Sequence, residues 1–396
     1  MIKIITSDIP IPKRNDDVSE IISAVAKDII KDVRARGDEA LYELAEKFDG
    51  ATLNSLKVTK EELKDAYNKM DNKYLEVVKR ATENITEFHN YQKDKGFIVE
   101  KDGVIMGQKV TPIERVGIYV PGGKAVYPSS VLMNVIPAKI AGCEHISVVT
   151  PPRADGTIAD EILACCYLLG VDAVYKVGGA GAIAALAFGT QTIEPVYKIT
   201  GPGNAYVAAA KKQVFGTVGI DMIAGPSEIL VIADDTANPE IVAADLLSQA
   251  EHDAMARCIL ATPSQKIAGK VAHAIEKQIA KLPRHEICRA SIDDNGLIVV
   301  CDTLEGCFDI SNQLAPEHLE IVVQDAISYL PKIKNAGSIF LGYYTPEAMG
   351  DYYAGVNHTL PTNATAKFSS ALSVETFVKK STFVCYNKEA LEDATD

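Results

Sequence analysis

Arg115-Val116-Gly117-Ile118-Tyr119-Val120-Pro121-Gly122-Gly123 is a β-branched run that breaks into a glycine turn. Its reading decides the fold, because the pattern of the chain changes here. Residues 116–120, 146–150, 173–177 and 197–200 read as buried strands, with helical segments at about 130–141, 158–169, 182–188 and 204–214. Strands alternating with helices predict a parallel sheet with helices on its faces. A second series has strands near 229–233, 258–262, 297–301, 319–323 and 338–341. Two such series point to two related α/β units. Upstream, residues 18–36 have apolar positions at helical spacing ended by Gly37, and 38–48 continue after that break. A long amphipathic region over 61–91 begins near Thr59 and is interrupted around Asn72. This helical opening carries no evident chemistry.

At 396 residues, with 47% hydrophobic and 23% charged residues, the chain has ample material for one large or two ordinary domains. A formal charge of −13 argues against a nucleic-acid partner, whose phosphates it would repel. No apolar stretch reaches the roughly 18–20 residues that span a bilayer, and the opening Met1-Ile-Lys-Ile-Ile lacks the core of a signal peptide. The eight cysteines form no Cys-x-x-Cys pair and fall mostly in expected strands and helices, as small apolar residues do. A reducing cytoplasm is the expected compartment.

Three polar constellations stand out in an otherwise apolar chain. Ala315-Pro316-Glu317-His318-Leu319-Glu320 sets a carboxylate beside one of only seven histidines. Extended backbone would send Glu317 and His318 to opposite faces unless the chain turns at Pro316, which suits two separate proton-transfer duties; a solvated polar strand start is the plainer alternative. Gln249 and His252 lie three apart at the end of an expected helix over 239–251, on one face, where they can share a metal. A helix-end histidine bonded to a carbonyl explains the same spacing. Gly350-Asp351 through Asn357-His358 adds a further carboxylate and imidazole, with Asp351 a hard oxygen ligand or a loop cap. One composite enzyme site accounts for all three. Three glycine turns also follow strands: 115–123, Val177-Gly178-Gly179-Ala180-Gly181-Ala182-Ile183-Ala184, and Thr200-Gly201-Pro202-Gly203-Asn204. The second has the G-x-G-x-x-A form of a dinucleotide turn. Tight βα turns need glycine for steric reasons alone, and no acidic residue stands at the ribose-binding distance.

Asp32-Val-Arg-Ala-Arg-Gly-Asp38, Arg115 to Gly123, Gly201-Pro-Gly-Asn204, Ala224-Gly-Pro-Ser227-Glu228, Ser248-Gln-Ala-Glu-His-Asp253, Leu314-Ala-Pro-Glu-His-Leu319 and Asn357-His-Thr-Leu-Pro-Thr362 together resemble histidinol dehydrogenase over about 18–382. The resemblance implies two related incomplete Rossmann-like parallel-sheet domains with a helical N-terminal segment. Residues 1–114 with 225–382 would form a discontinuous α/β domain carrying the metal and catalytic residues, and 115–224 an inserted NAD-binding domain. It also implies oxidation of L-histidinol to L-histidine through L-histidinal, in two NAD-dependent steps. His318 would take the alcohol proton and Glu317 would activate water. Gln249, His252 and Asp351 would hold zinc and position the substrate, which Ser227 and His358 would also contact. Tyr119, Gly181 and Asn204 would contact the dinucleotide, and the enzyme would be a homodimer. Two departures qualify this. The family usually has Gln at position 181, so the G-x-G-x-x-A exists only through that change. The family's small C-terminal domain, whose Glu and His enter the partner's site, is expected to be largely absent, with 383–396 its truncated start. Alternatives are a related zinc and NAD dehydrogenase of another polar alcohol, an inactive truncated form, or a zinc hydrolase with Glu317 activating water.

Overall fold

Each of the two strand–helix series folds into its own parallel sheet. The computed structural model describes residues 2–12, 20–122 and 126–395; Val18 and Gly123, assigned above to a helix and a glycine turn, lie outside them. By contacts the chain divides into two compact units, Met1–Glu20 with Met222–Ala371, and Ile21–Asp221 with Leu372–Asp396.

The first unit holds a six-stranded parallel sheet in the order Lys3–Thr6, Leu297–Val300, Arg257–Thr262, Glu228–Ala233, His318–Val322, Ser338–Leu341. The strand Glu228–Ala233 is buried throughout and shows why such strands read as continuous apolar runs. Ile229, Val231 and Ala233 pack with Val242 and Leu246 of helix Pro239–Ala250 and Val271 and Ile275 of helix Gln265–Ile279. Leu230 and Ile232 turn to the other face, against Phe308 and Ile310 of helix Leu304–Leu314. That period of two covers both faces with helices.

The second unit has a five-stranded parallel sheet in the order Ala173–Lys176, His145–Thr150, Arg115–Tyr119, Lys198–Thr200, Gly219–Ile220. The N-terminal helices are Glu20–Arg36, Asp38–Leu44, Lys60–Lys69 and Asn72–Asn90. The expected interruption near Asn72 is a clean break at extended Met70 and Asp71. Thr59 starts its helix with a capping box, accepting from the Glu62 N–H while the Glu62 carboxylate accepts from the Thr59 N–H. Val78, Ala81 and Ile85 share a core with Val116 and Ile118. By contacts the division falls at 20/21, 221/222 and 371/372, where the sequence reading places boundaries at 114/115, 224/225 and 382/383. An amphipathic helix shows in sequence that it packs, but not against which sheet.

A third sheet, antiparallel and unforeseen in the sequence, pairs Val378–Tyr386 with Val104–Pro112 and that strand with Phe97–Lys101. Residues 383–386, read above as the start of another domain, belong to this sheet; a short helix, Lys388–Asp393, follows, capped by Asn387. Six of the eight cysteines are buried, and all eight are free thiols. Among the described residues no helix is long and apolar enough to cross a membrane.

Candidate active site

In the first unit the polar constellations converge at the amino ends of two neighbouring strands, Glu228–Ala233 and His318–Val322. This is the edge opposite the one where open parallel sheets ordinarily hold ligands. Helix Leu304–Leu314 ends at Ala315 in left-handed conformation, φ 50°, and the chain turns through Pro316 before the strand begins at His318. The turn permits what extended backbone forbids: Glu317 Oε2 and His318 Nδ1 stand 3.7 Å apart. One residue on the neighbouring strand holds both. The Glu228 N–H donates to Glu317 Oε2 at 2.9 Å, and the Glu228 carbonyl lies 3.0 Å from His318 Nδ1.

The Gln249 amide nitrogen is 3.1 Å from the same Nδ1. A single nitrogen cannot donate to the carbonyl and accept from the amide. The surrounding charges decide the matter. Burial opposes a charged His318, but Asp351, Glu317 and Glu347 together hold its pKa well above the ordinary imidazole value. Nδ1–H therefore donates to Glu228, and Nε2 points into the site, 3.4 Å from Asp351 Oδ1 and 3.8 Å from Glu347 Oε1. Burial pushes Glu317 up to about 8, against the pull of His318 and the Glu228 N–H.

Glu347 was not singled out in the sequence, although it precedes Asp351 by one helical turn. It is 3% exposed, and burial drives it up to about 7. Glu320, two residues beyond His318 on the same face of the strand, is equally hidden. Its Oε1 accepts the Glu347 N–H at 2.7 Å. Burial and the nearby Asp245 raise its pKa well above the carboxylate range. His252 follows directly on helix Pro239–Ala250, its N–H bonded to the Gln249 carbonyl at 3.1 Å. Burial lowers the pKa of both His252 and His358, while the charge of Asp351 acts on each in the opposite sense. Ser227 immediately precedes Glu228, its carbonyl accepting from the Arg257 N–H at 3.0 Å.

A divalent cation suits this donor set. The ligand atoms of His318, Glu347 and Asp351 lie within 4.8 Å of one another, and the buried Nε2 atoms of His318 and His358 have no hydrogen-bond partner. Two carboxylates, Glu347 raised by burial and Asp351 held low by the charge of His318 against its own burial, stand beside unpartnered imidazole nitrogens, an arrangement a cation relieves.

In the second unit the glycine turns gather at the carboxyl edge of the five-stranded sheet. Tyr119 ends its strand buried, and its hydroxyl accepts the Gly179 N–H at 3.2 Å; burial pushes its pKa up to about 12. Gly179 opens helix Gly179–Phe188, whose first-turn N–H groups lack intrahelical carbonyls and suit a phosphate. Gly181 lies in that turn, buried, and a Cβ there would come 2.8 Å from Leu44 Cδ1. A side chain at 181 therefore meets helix Asp38–Leu44, and this position offers a ligand its backbone alone. Gly201 has φ 106°, and a Cβ would fall 2.1 Å from the Tyr119 carbonyl oxygen. No other residue fits there. Its N–H donates to Asp221 Oδ2 at 2.8 Å, its carbonyl accepts from Lys211 Nζ at 3.0 Å, and the buried Lys211 and Asp221 form an ion pair. Asn204 caps helix Ala205–Val214, Oδ1 accepting from Tyr206 and Val207 at 3.0 and 3.1 Å, which leaves its amide N–H₂ for a ligand.

The family model for histidinol dehydrogenase matches residues 12–396. The chain is 55% identical over 370 residues to the histidinol dehydrogenase of Geobacillus kaustophilus, covering 93% of this chain and 87% of that one. It is 54% identical over 368 residues to that of Bacillus subtilis, covering 93% and 86%. The crystal structure of histidinol dehydrogenase from Elizabethkingia anophelis superposes with a TM-score of 0.92 at 40% identity, covering 99% of this chain and 92% of that one.

Proposed function

The chain belongs to the histidinol dehydrogenase family, an NAD-dependent oxidoreductase family, and from that premise we propose that it oxidises L-histidinol to L-histidine through L-histidinal in histidine biosynthesis. The observation that carries the reading is the Glu317–His318 pair, held by one strand's backbone with its two polar ends in one buried site. His318 takes the alcohol proton at Nε2, because Nδ1 is committed to the Glu228 carbonyl. Glu317 then takes a proton from water, whose oxygen adds to the aldehyde carbon. The imidazolium left by the first step favours the carboxylate form that the second step needs. NAD supplies the hydride acceptor for both oxidations.

Gln249, His252 and Asp351 would hold zinc. Placing it on His318 Nε2 instead would consume the lone pair that the base requires. Bound zinc supplies an anchor for the substrate's imidazole and amine and offsets the carboxylate charge that keeps His318 protonated. Ser227 and His358 complete the substrate contacts, with Gln249, His252 and Asp351 on the metal side. The dinucleotide is assigned to 115–224, through Tyr119, the Asn204 amide and the backbone of Gly181. A homodimer is also proposed, supported by Val99, Met106 and Val384, which stand side by side and exposed on one face of the antiparallel sheet. The free thiols support a cytoplasmic setting, which cell fractionation reads directly.

Purified protein stripped by chelator and reloaded with zinc provides the test. Two NADH per L-histidinol, lost on stripping and restored by zinc, is the expected result. NADH formation indifferent to chelation would remove the zinc, and none from L-histidinol would remove the substrate.

A further inference from the structure

A carboxyl group in the middle of a parallel sheet is expensive to keep, and Glu320 is 1% exposed. A leucine there would cost nothing to desolvate. Its polar contacts show what it returns. Oε1 accepts the Glu347 N–H at 2.7 Å, fixing the start of the turn Glu347–Met349 that leads into Gly350–Ala354 and carries Glu347 and Asp351. A second contact comes from helix Pro239–Ala250: Ser248 Oγ, one residue before Gln249, lies 3.0 Å from Glu347 Oε2, its hydroxyl shared with the Asp245 carbonyl 2.7 Å away. Neither Glu320 nor Ser248 is assigned a part in the chemistry above.

We propose that Glu320 and Ser248 are positioning residues, a two-point clamp on Glu347 that sets the Glu347–Asp351 turn against His318 and so places Asp351 to hold zinc. The clamp rests on the zinc-dependent reading of the site. Oε1 accepts the Glu347 amide, while Oε2 is buried without a hydrogen-bond partner among the described residues; burial beside half-buried Asp245 favours the neutral carboxyl. A glutamine keeps the carbonyl that accepts the Glu347 amide, and a leucine does not.

The test is calorimetric titration of zinc into chelator-stripped protein, with cobalt absorption as a second reading of ligand geometry and thermal melting of each metal-free variant as control. Glu320→Gln is expected to bind zinc within about threefold of the parent, with the same cobalt spectrum. Glu320→Leu is expected to weaken zinc tenfold or more and to alter that spectrum. Ser248→Ala, a milder change on a half-buried residue, is expected to weaken zinc severalfold without lowering the melting temperature; it decides the matter if Glu320→Leu does not fold. Parental zinc affinity and spectrum in Ser248→Ala, or in folded Glu320→Leu, would overturn the clamp while leaving the zinc site standing. A parent that binds no zinc would overturn the reading beneath it, and the clamp with it.

Discussion

Glu317 and His318 owe separate duties to a single backbone turn. The left-handed Ala315 and the proline after it put Glu317 one residue ahead of the strand, so both side chains reach one site while bonding to different atoms of Glu228. Separate atoms imply separable losses. Glu317→Gln should spare the first oxidation and slow oxidation of added L-histidinal by about 10²–10⁴-fold, the usual worth of a positioned base. NADH per L-histidinol should then fall from two toward one. His318→Asn should instead slow alcohol oxidation by a similar factor. Equal losses on both substrates in both variants would undo the division. The adjacent pair, Gln249 with His252, and Asp351 were legible because unlike polar types at close spacing stand out in an apolar chain. Glu347 and Glu320 were not. A buried carboxylate and a solvated one are the same letter, and only the fold reveals which has lost its water.

At the scale of elements, alternation served well wherever a strand was covered by its own flanking helices, and every strand expected in the two parallel sheets stands within a residue or two of its place; the edge strands Gly219–Ile220 and Lys3–Thr6 were not expected. It failed where partners are remote or absent. Lys3–Thr6 pairs with Leu297–Val300, a match no local window contains. The antiparallel sheet fails differently, since its strands are largely exposed and show no buried stripe. Register puts Val99, Met106 and Val384 side by side on one face, with Phe97 and Tyr386 nearby. All five are exposed, Val384 by 63%. A continuous apolar face across three strands calls for a cover, which the proposed second copy would supply. Val99→Lys with Val384→Lys should convert a dimer to monomer in light scattering at micromolar protein, with each monomer's fold intact by circular dichroism. A double variant still dimeric at that concentration would show that this face is not the interface.

Over the whole molecule, the chain's last residues return to the unit its early helices built, and a buried histidine marks the junction. Leu372 and Phe377 enter the core beside Val78 and Ile85, and the Phe377 carbonyl accepts from the Ile113 N–H at 2.8 Å. His89, wholly buried near the end of helix Asn72–Asn90, has Nδ1 2.6 Å from Gln92 Oε1, the oxygen that also takes the Val374 N–H at 3.2 Å. Its partner Gln92 lies three residues on, but the Val374 N–H that shares the Gln92 oxygen comes from near the far end of the chain, which no local reading of the sequence contains. Burial lowers its pKa, and the bond to Gln92 restores only part of that. The unfolded imidazole takes up protons near about 6.5, whereas the folded one waits for a lower pH. In that interval the unfolded state binds more protons, so stability declines as pH falls below the unfolded value and stops declining once pH has passed the folded one. A leucine at 89 cannot titrate. Urea unfolding at pH 7.5 and pH 5 should therefore show His89→Leu gaining on the parent as the solution becomes acid, whatever it loses at neutral pH with the Gln92 bond. Parallel losses in the two proteins between those pH values would mean that His89 is charged in the fold and that the junction is held in some other way.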